Sequence, residues 1–314
     1  MQIFRRQRET VFNVQETGHN SLASYRAHDP AALPQRPPVS HVIDACGIKV
    51  LSDPPNATCD ICFIHGLTGD REKTWTADGQ STPWPEALLP QKLQKARILT
   101  YGYDAYVVSK STASLNRLLD HATNLLADLT SDRESCGAPS RPLIFVAHSL
   151  GGLVCKMAIL ISRNNPETHF QDVFNSLKGV IFMGTPHMGA WMANWAKIPA
   201  TTFGFVKSVN VKLIDILQSD NQLLESMQRD FLAMVRQLRE NGRRLEVTCF
   251  FEELSTFGVG PIVSKESATF DSYTPRSIHA DHRNMVKFAT VEDNGFKRVS
   301  GELVRWTLAV GKKD

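Results

Sequence analysis

The stretch that most constrains the fold is LIFVAHSLGGLVCK, residues 143–156. A short apolar run ends at a His-Ser pair, two glycines follow, and hydrophobic residues resume at once. The first run is too short for a helix and reads as a strand buried on both faces, while residues 150 to about 163 read as a helix. A strand that passes directly into a helix must turn sharply at Ser149. The residues two before and two after must then be small, so that strand and helix can approach each other. Ala147 and Gly151 meet that requirement, and Gly152 adds clearance. This is the pattern of a nucleophile elbow, with Ala at the position where Gly is commoner. The competing reading is a serine in a glycine-containing turn, so the partners of Ser149 decide between the two.

The rest of the chain repeats the same alternation. GIKVL (47–51), CDICFIH (59–65), ARILTY (96–101), GVIFMG (179–184) and EVTCFF (246–251) are further strand candidates, each bounded by Pro, Gly or polar clusters. Between them, residues 114–132 space Leu115, Leu118, Leu119, Leu125, Leu126 and Leu129 at helical intervals. Ser219 and Gln222 form a capping-box pattern ahead of a stripe of Leu223, Met227, Phe231 and Leu238. Strand and helix in alternation predict a doubly wound α/β sheet. Two segments stand apart. Residues 1–41 are polar and proline-bearing and read as an arm ahead of a domain spanning 42–314. Residues 191–241 are long for one crossover, so they are expected to form a helical insertion, either a lid over the site or two core-packing helices.

Composition narrows the function classes. A net charge of +3 on 314 residues, with no Lys/Arg block interleaved with aromatics, gives no footprint for nucleic acid. No apolar run reaches the ~18 residues of a membrane span, and no hydrophobic region follows the basic start, so a secretory signal is not expected. The chain is expected to be soluble and cytoplasmic. A mitochondrial location is the alternative raised by Arg5, Arg6 and Arg8, against which Glu9 and Glu16 count. Six scattered cysteines fit reduced thiols. Cys59 and Cys62 form a CxxC, but on a strand residues three apart face opposite ways, so no metal site is expected there. Nucleotide signatures are absent, and no cofactor is implied.

A serine nucleophile needs oxyanion donors, a base and an orienting acid. FIHGLTG (63–69) ends a strand in His-Gly-Leu, and the loop after such a strand supplies one donor: Leu67 N–H is the candidate, with Leu150 N–H as the second. His65 is read as support for that loop, and His148 as structural, because adjacent residues on an elbow point apart. In this architecture the acid and then the histidine follow the serine in sequence. His279 and His282 lie downstream in SIHADHRNMVKF, and His282, next to an apolar stretch, is the preferred base. The acid is expected just after EVTCFF, at Glu252 or Glu253, with Glu266 a third candidate. Leu67, Phe182, Met183, Met188 and Trp191 are read as apolar surroundings for an acyl group.

FIHGLTGDREKTW, ARILTYGYDA, VAHSLGGLVCK, GVIFMGTPHMG and DHRNMVKF, in that order, resemble the serine-esterase family of α/β-hydrolases typified by DUF676 and SERAC-type proteins. The chain is similar in particular to the hydrolase domain at the N-terminus of fungal NLR-type proteins. The likeness runs from about Gly47 to Val310. It implies an α/β-hydrolase fold with a mostly parallel central sheet flanked by helices and a lid-like helical insertion. It also implies cleavage of a carboxylic ester, lipid-like or otherwise hydrophobic in its acyl part, without cofactor or metal. Carried over, the nucleophile falls on Ser149, the base on His282 and the acid on Glu252. Peripheral membrane contact and association with NLR-type modules are the partner expectations. The alternative function is a hydrolase-fold signalling module of an NLR-type protein with little turnover.

Overall fold

The structure is a computed structural model describing residues 45–66, 69–104, 114–188, 221–256, 258 and 260–310. Its framework is seven strands: β1 (Gly47–Ser52), β2 (Cys59–Ile64), β3 (Ala96–Gly102), β4 (Leu143–His148), β5 (Leu177–Met183), β6 (Glu246–Glu252) and β7 (Arg276–Ile278). They form one sheet in the order β1-β3-β2-β4-β5-β6-β7. β1 runs antiparallel to β3, and every other pair is parallel. The predicted strands are all present, with β5 starting two residues earlier than expected. β7 was not foreseen.

Strand alternation sorts the apolar runs into two cores. Cys62, Ile64, Phe145, Ala147, Val180 and Phe182 belong to one face; Ile61, Phe63, Ile144, Val146, Ile181 and Met183 belong to the other. Each fully buried Ile, Val or Phe contributes about 1.5–3 kcal/mol of transfer free energy, which explains why the central strands carry almost no polar residue. Cys59 and Cys62 lie in different cores, so their thiols face apart.

Four helices cover the first face: α1 (Ser114–Ser135), α2 (Gly151–Asn164), α3 (Thr168–Ser176) and α4 (Asn221–Glu240). The second is covered by α5 (Asn294–Val310), which buries Phe296, Val299, Leu303 and Trp306 at helical spacing, together with the loops carrying Trp75 and Trp84. Of the expected insertion, α4 is the described part. Its Leu224, Met227, Phe231, Met234, Val235 and Leu238 are buried in the first core, which makes this half a core-packing helix. Ser219, Trp191 and the 1–41 arm lie outside the described residues. Among the described residues no helix is long and apolar enough to cross a membrane.

This topology decides where chemistry can sit. The chain passes from β2 to β3 on one side, then returns to place β4 on the other side of β2. The crevice at the carboxyl ends of β2 and β4 is therefore the switch point of the sheet, where open α/β sheets bind ligands. His65 and Gly66 follow β2, and Ser149 follows β4. The mostly parallel sheet with helices on both faces is the α/β-hydrolase fold.

Candidate active site

Ser149 sits between β4 and α2 with φ +54°, the one non-glycine residue at positive φ among the described residues. A left-handed conformation costs an L-residue on the order of 1–3 kcal/mol, and it persists only when its surroundings fix it. Here the Ser149 N–H donates to Met183 O at 2.9 Å, and the Gly152 N–H donates to Ser149 O at 3.0 Å. The backbone around the serine is crowded by design of the sequence. A Cβ on Gly151 would stand 2.2 Å from His65 O, and one on Gly66 would stand 2.7 Å from Ser149 Cβ. Both glycines are therefore dictated by close approach of the β2 loop to the serine.

That loop is clamped from behind. The Tyr103 backbone N–H donates to His65 Nε2 at 3.3 Å, so His65 carries its proton on Nδ1 and donates it to Gly66 O at 2.9 Å. The Tyr103 hydroxyl donates to His65 O at 2.9 Å, and the two rings stack with centroids 4.4 Å apart. Burial pushes the His65 imidazolium down to about 4, so the ring is neutral at physiological pH. Its support of the loop agrees with the sequence expectation. Leu67, the expected donor from this loop, lies outside the described residues, and Leu150 is the N-cap residue of α2.

The predicted base meets the predicted nucleophile. His282 Nε2 lies 3.0 Å from Ser149 Oγ, with Ser149 1% and His282 5% exposed. His282 Nδ1 lies 3.1 Å from Glu252 Oε2, at an angle looser than a straight hydrogen bond. Such looseness is common in free active sites and tightens when substrate is bound. The other oxygen of Glu252 is fixed, because Oε1 accepts the Val263 N–H at 2.9 Å. Glu252 is the last residue of β6, so alternation sends its side chain inward and that of Glu253 outward. Glu253 Oε2 instead meets His279 Nδ1 at 2.8 Å, and Glu266 is exposed in the first turn of a short helix.

β7 and a short turn carry His282 into position. Glu253 N–H donates to Ile278 O and Leu254 N–H to Ala280 O, joining the end of β6 to the histidine loop. Asp281 Oδ1 then accepts the backbone N–H groups of Arg283 and Asn284 at 3.1 and 2.9 Å, which ties down the chain entering the 3-10 turn Asn284–Val286. The Asp-x-x-Asn spacing was a readable signal for that turn. His148 was read as structural, and its ring reaches the histidine loop: Nε2 is 3.0 Å from the His282 main-chain oxygen. Burial, and the nearness of His282, hold the His148 imidazolium well below the ordinary histidine range.

Two expectations about the surroundings change. Phe182 and Met183 are both 0% exposed, packed in opposite cores by strand alternation, so neither is free to contact an acyl group in this conformation. Met188 is the exposed member of that set. His187 is turned into the core, where Nδ1 lies 2.6 Å from Lys156 Nζ and Nε2 lies 3.6 Å from Cys249 Sγ. Lys156 is itself fully buried, with Nζ donating to Gln228 Oε1 and lying 5.3 Å from the ring centres of Phe182 and Phe270. Burial pushes the Lys156 ammonium down to about 7.

Several known proteins resemble this chain. The chain is 27% identical to Protein SERAC1 of Homo sapiens over 251 residues, covering 73% of this chain and 36% of that protein. Against Protein SERAC1 of Bos taurus the identity is 26% over 231 residues, 68% of this chain and 33% of the relative. The chain thus spans about a third of the length of the curated relatives it matches. Among solved structures, the NocB thioesterase domain aligns with TM-score 0.45 and 12% identity over 83% of this chain and 98% of its own. A thermophilic esterase from Thermogutta terrifontis aligns with TM-score 0.43 and 13% identity, over 84% of this chain and 94% of its own. Residues 61–255 match the family described as "Putative serine esterase (DUF676)", a span of more than half the sequence, and to that family this chain belongs.

Proposed function

We propose that this chain is a serine hydrolase that cleaves carboxylic esters through Ser149, His282 and Glu252. The observation that carries the reading is the contact of Ser149 Oγ with His282 Nε2 at 3.0 Å, with Glu252 Oε2 3.1 Å from the opposite ring nitrogen. In this mechanism His282 Nε2 takes the Oγ proton as Ser149 attacks the ester carbonyl. The resulting imidazolium holds protons on both nitrogens, and Glu252, anchored by Val263 N–H, faces the one on Nδ1. His282 then gives its Nε2 proton to the leaving alcohol, and an acyl group remains on Ser149. Water then attacks the acyl carbon as His282 removes its proton, and the bond to Oγ breaks as His282 returns that proton to Ser149 and the acid product departs. Leu150 N–H and Leu67 N–H are the proposed donors to the tetrahedral oxyanion, each worth about 3 kcal/mol in such sites.

Carboxylic esters are the substrate class that the family description favours. The test combines a fluorophosphonate probe with p-nitrophenyl esters of graded acyl length. Labelling and hydrolysis are expected for the wild-type chain and are both lost in Ser149→Ala. A folded wild-type chain that neither labels nor hydrolyses any ester would overturn the proposal in favour of a hydrolase-fold interaction module.

A further inference from the structure

We propose that His148 is a positioning residue: its Nε2–H, by holding the main-chain carbonyl of His282, sets the distance between the His282 imidazole and Ser149. The inference rests on the Ser149–His282 reading and extends it to a residue that touches neither substrate nor the reacting atoms.

The geometry is a closed loop. Ser149 Oγ meets His282 Nε2 at 3.0 Å, and the residue next to Ser149 meets the His282 carbonyl at 3.0 Å. A carbonyl only accepts, so His148 must carry its proton on Nε2 and donate it. Two contacts, 133 and 134 residues apart in sequence, thus join the same two short segments. Together they hold both the backbone and the ring of His282, beyond the Glu253–Ile278 and Leu254–Ala280 contacts that join its loop to β6. Strand alternation makes this available. Ala147 faces the first core, so His148 faces the second, beneath the turn that buries Met285 and Val286. The two rings lie 4.9 Å apart at 39°, and His148 is buried. Because burial keeps His148 neutral, its ring does not add a second positive charge when His282 becomes an imidazolium.

Two substitutions separate the hydrogen bond from the packing. His148→Phe keeps a ring of similar size and removes the donor; His148→Gln supplies an N–H at nearly the same reach. Loss of the tether is expected to misplace the imidazole by a fraction of an ångström to an ångström, and shifts of that size cost up to about 10²-fold in rate. His148→Phe should therefore lower kcat on a p-nitrophenyl ester roughly 10- to 100-fold with KM within about 3-fold, while His148→Gln stays within about 3-fold of wild type. Equal kcat in the Phe and wild-type chains, or equal loss in Phe and Gln at matched Tm, overturns the proposal. Crystal structures of both variants give a readout that does not depend on turnover. The Ser149 Oγ to His282 Nε2 distance must lengthen in the Phe variant and remain near 3.0 Å in the Gln variant. If it is unchanged in both, the tether does nothing. Absence of any esterase activity in the wild-type chain would instead count against the hydrolase reading, and the distances alone would then decide the role of His148.

Discussion

Two histidine–glutamate pairs stand side by side where β6 and β7 end, and they differ in everything except chemistry. Glu252 and His282 are buried, with side chains 0% and 6% exposed; Glu253 and His279 are 35% and 75% exposed. The exposed pair has the shorter contact, 2.8 Å against 3.1 Å. Distance is thus the wrong guide to function. What distinguishes Glu252 is its anchor on Val263 N–H, the exclusion of water and the presence of Ser149 beyond the ring. An exposed pair of this kind is worth about 0–1 kcal/mol, because water and salt screen it and both side chains lose freedom. Removing one member of a buried pair leaves an uncompensated group and costs several times as much.

The contrast can be broken in stages. The largest effect is expected on removing the reacting atoms: Ser149→Ala or His282→Ala should lower kcat on an ester by more than about 10⁴-fold, measured against the uncatalysed rate. Glu252→Gln keeps the shape and loses the charge that orients the ring, so a fall on the order of 10³- to 10⁴-fold in kcat is expected in the same assay. An effect in Glu253→Gln as large as that in Glu252→Gln would show that burial does not separate the pairs.

A third change tests burial without the carboxylate. Lys156 is buried in the core with His187, and burial pushes its ammonium down to about 7, whereas a free lysine titrates at 10.5. Between those pH values unfolding takes up a proton at this site, so the contribution of Lys156 makes stability rise as pH rises from 7 toward 10.5, and its cost is greatest below 7. Lys156→Met should therefore be more stable than wild type near pH 7, by a few kcal/mol, with the gap closing by pH 10. Urea melts at pH 7, 8.5 and 10 measure this; a gap that does not change with pH contradicts it. The smallest effect is expected at the exposed pair, where Glu253→Gln and His279→Ala should alter kcat less than about 2-fold and stability by no more than about 0.5 kcal/mol.

What was legible in the sequence followed the range of the forces involved. Ser149 was readable because its constraints are local: a strand, a turn and a helix within a few residues, with small neighbours at Ala147 and Gly151. The choice between Glu252 and Glu253 was not local. It depends on which face of the end of β6 meets the histidine loop, and that loop arrives from β7, whose three residues are too few to show a period. The His148 contact spans 134 residues and leaves no trace in either segment. Phe182 and Met183 were misread for a different reason: GVIFM is apolar because β5 is buried on both sides, and apolarity alone does not distinguish a core strand from a substrate wall. α5 was readable and went unread. Its Phe296, Val299, Leu303 and Trp306 recur at helical spacing, with Gly301 among them.

The order of the site along the chain has a consequence in time. Ser149 and His282 are 133 residues apart, with β5, β6 and β7 between them. At 5–20 residues per second, a ribosome needs roughly 7–27 s to add that interval. On the proposed mechanism, the elbow serine exists through all of it without a base to take its proton. A nascent chain that already carries Ser149 should therefore be inert toward the esters around it, and reactivity should begin only when the last strand of the sheet has been made.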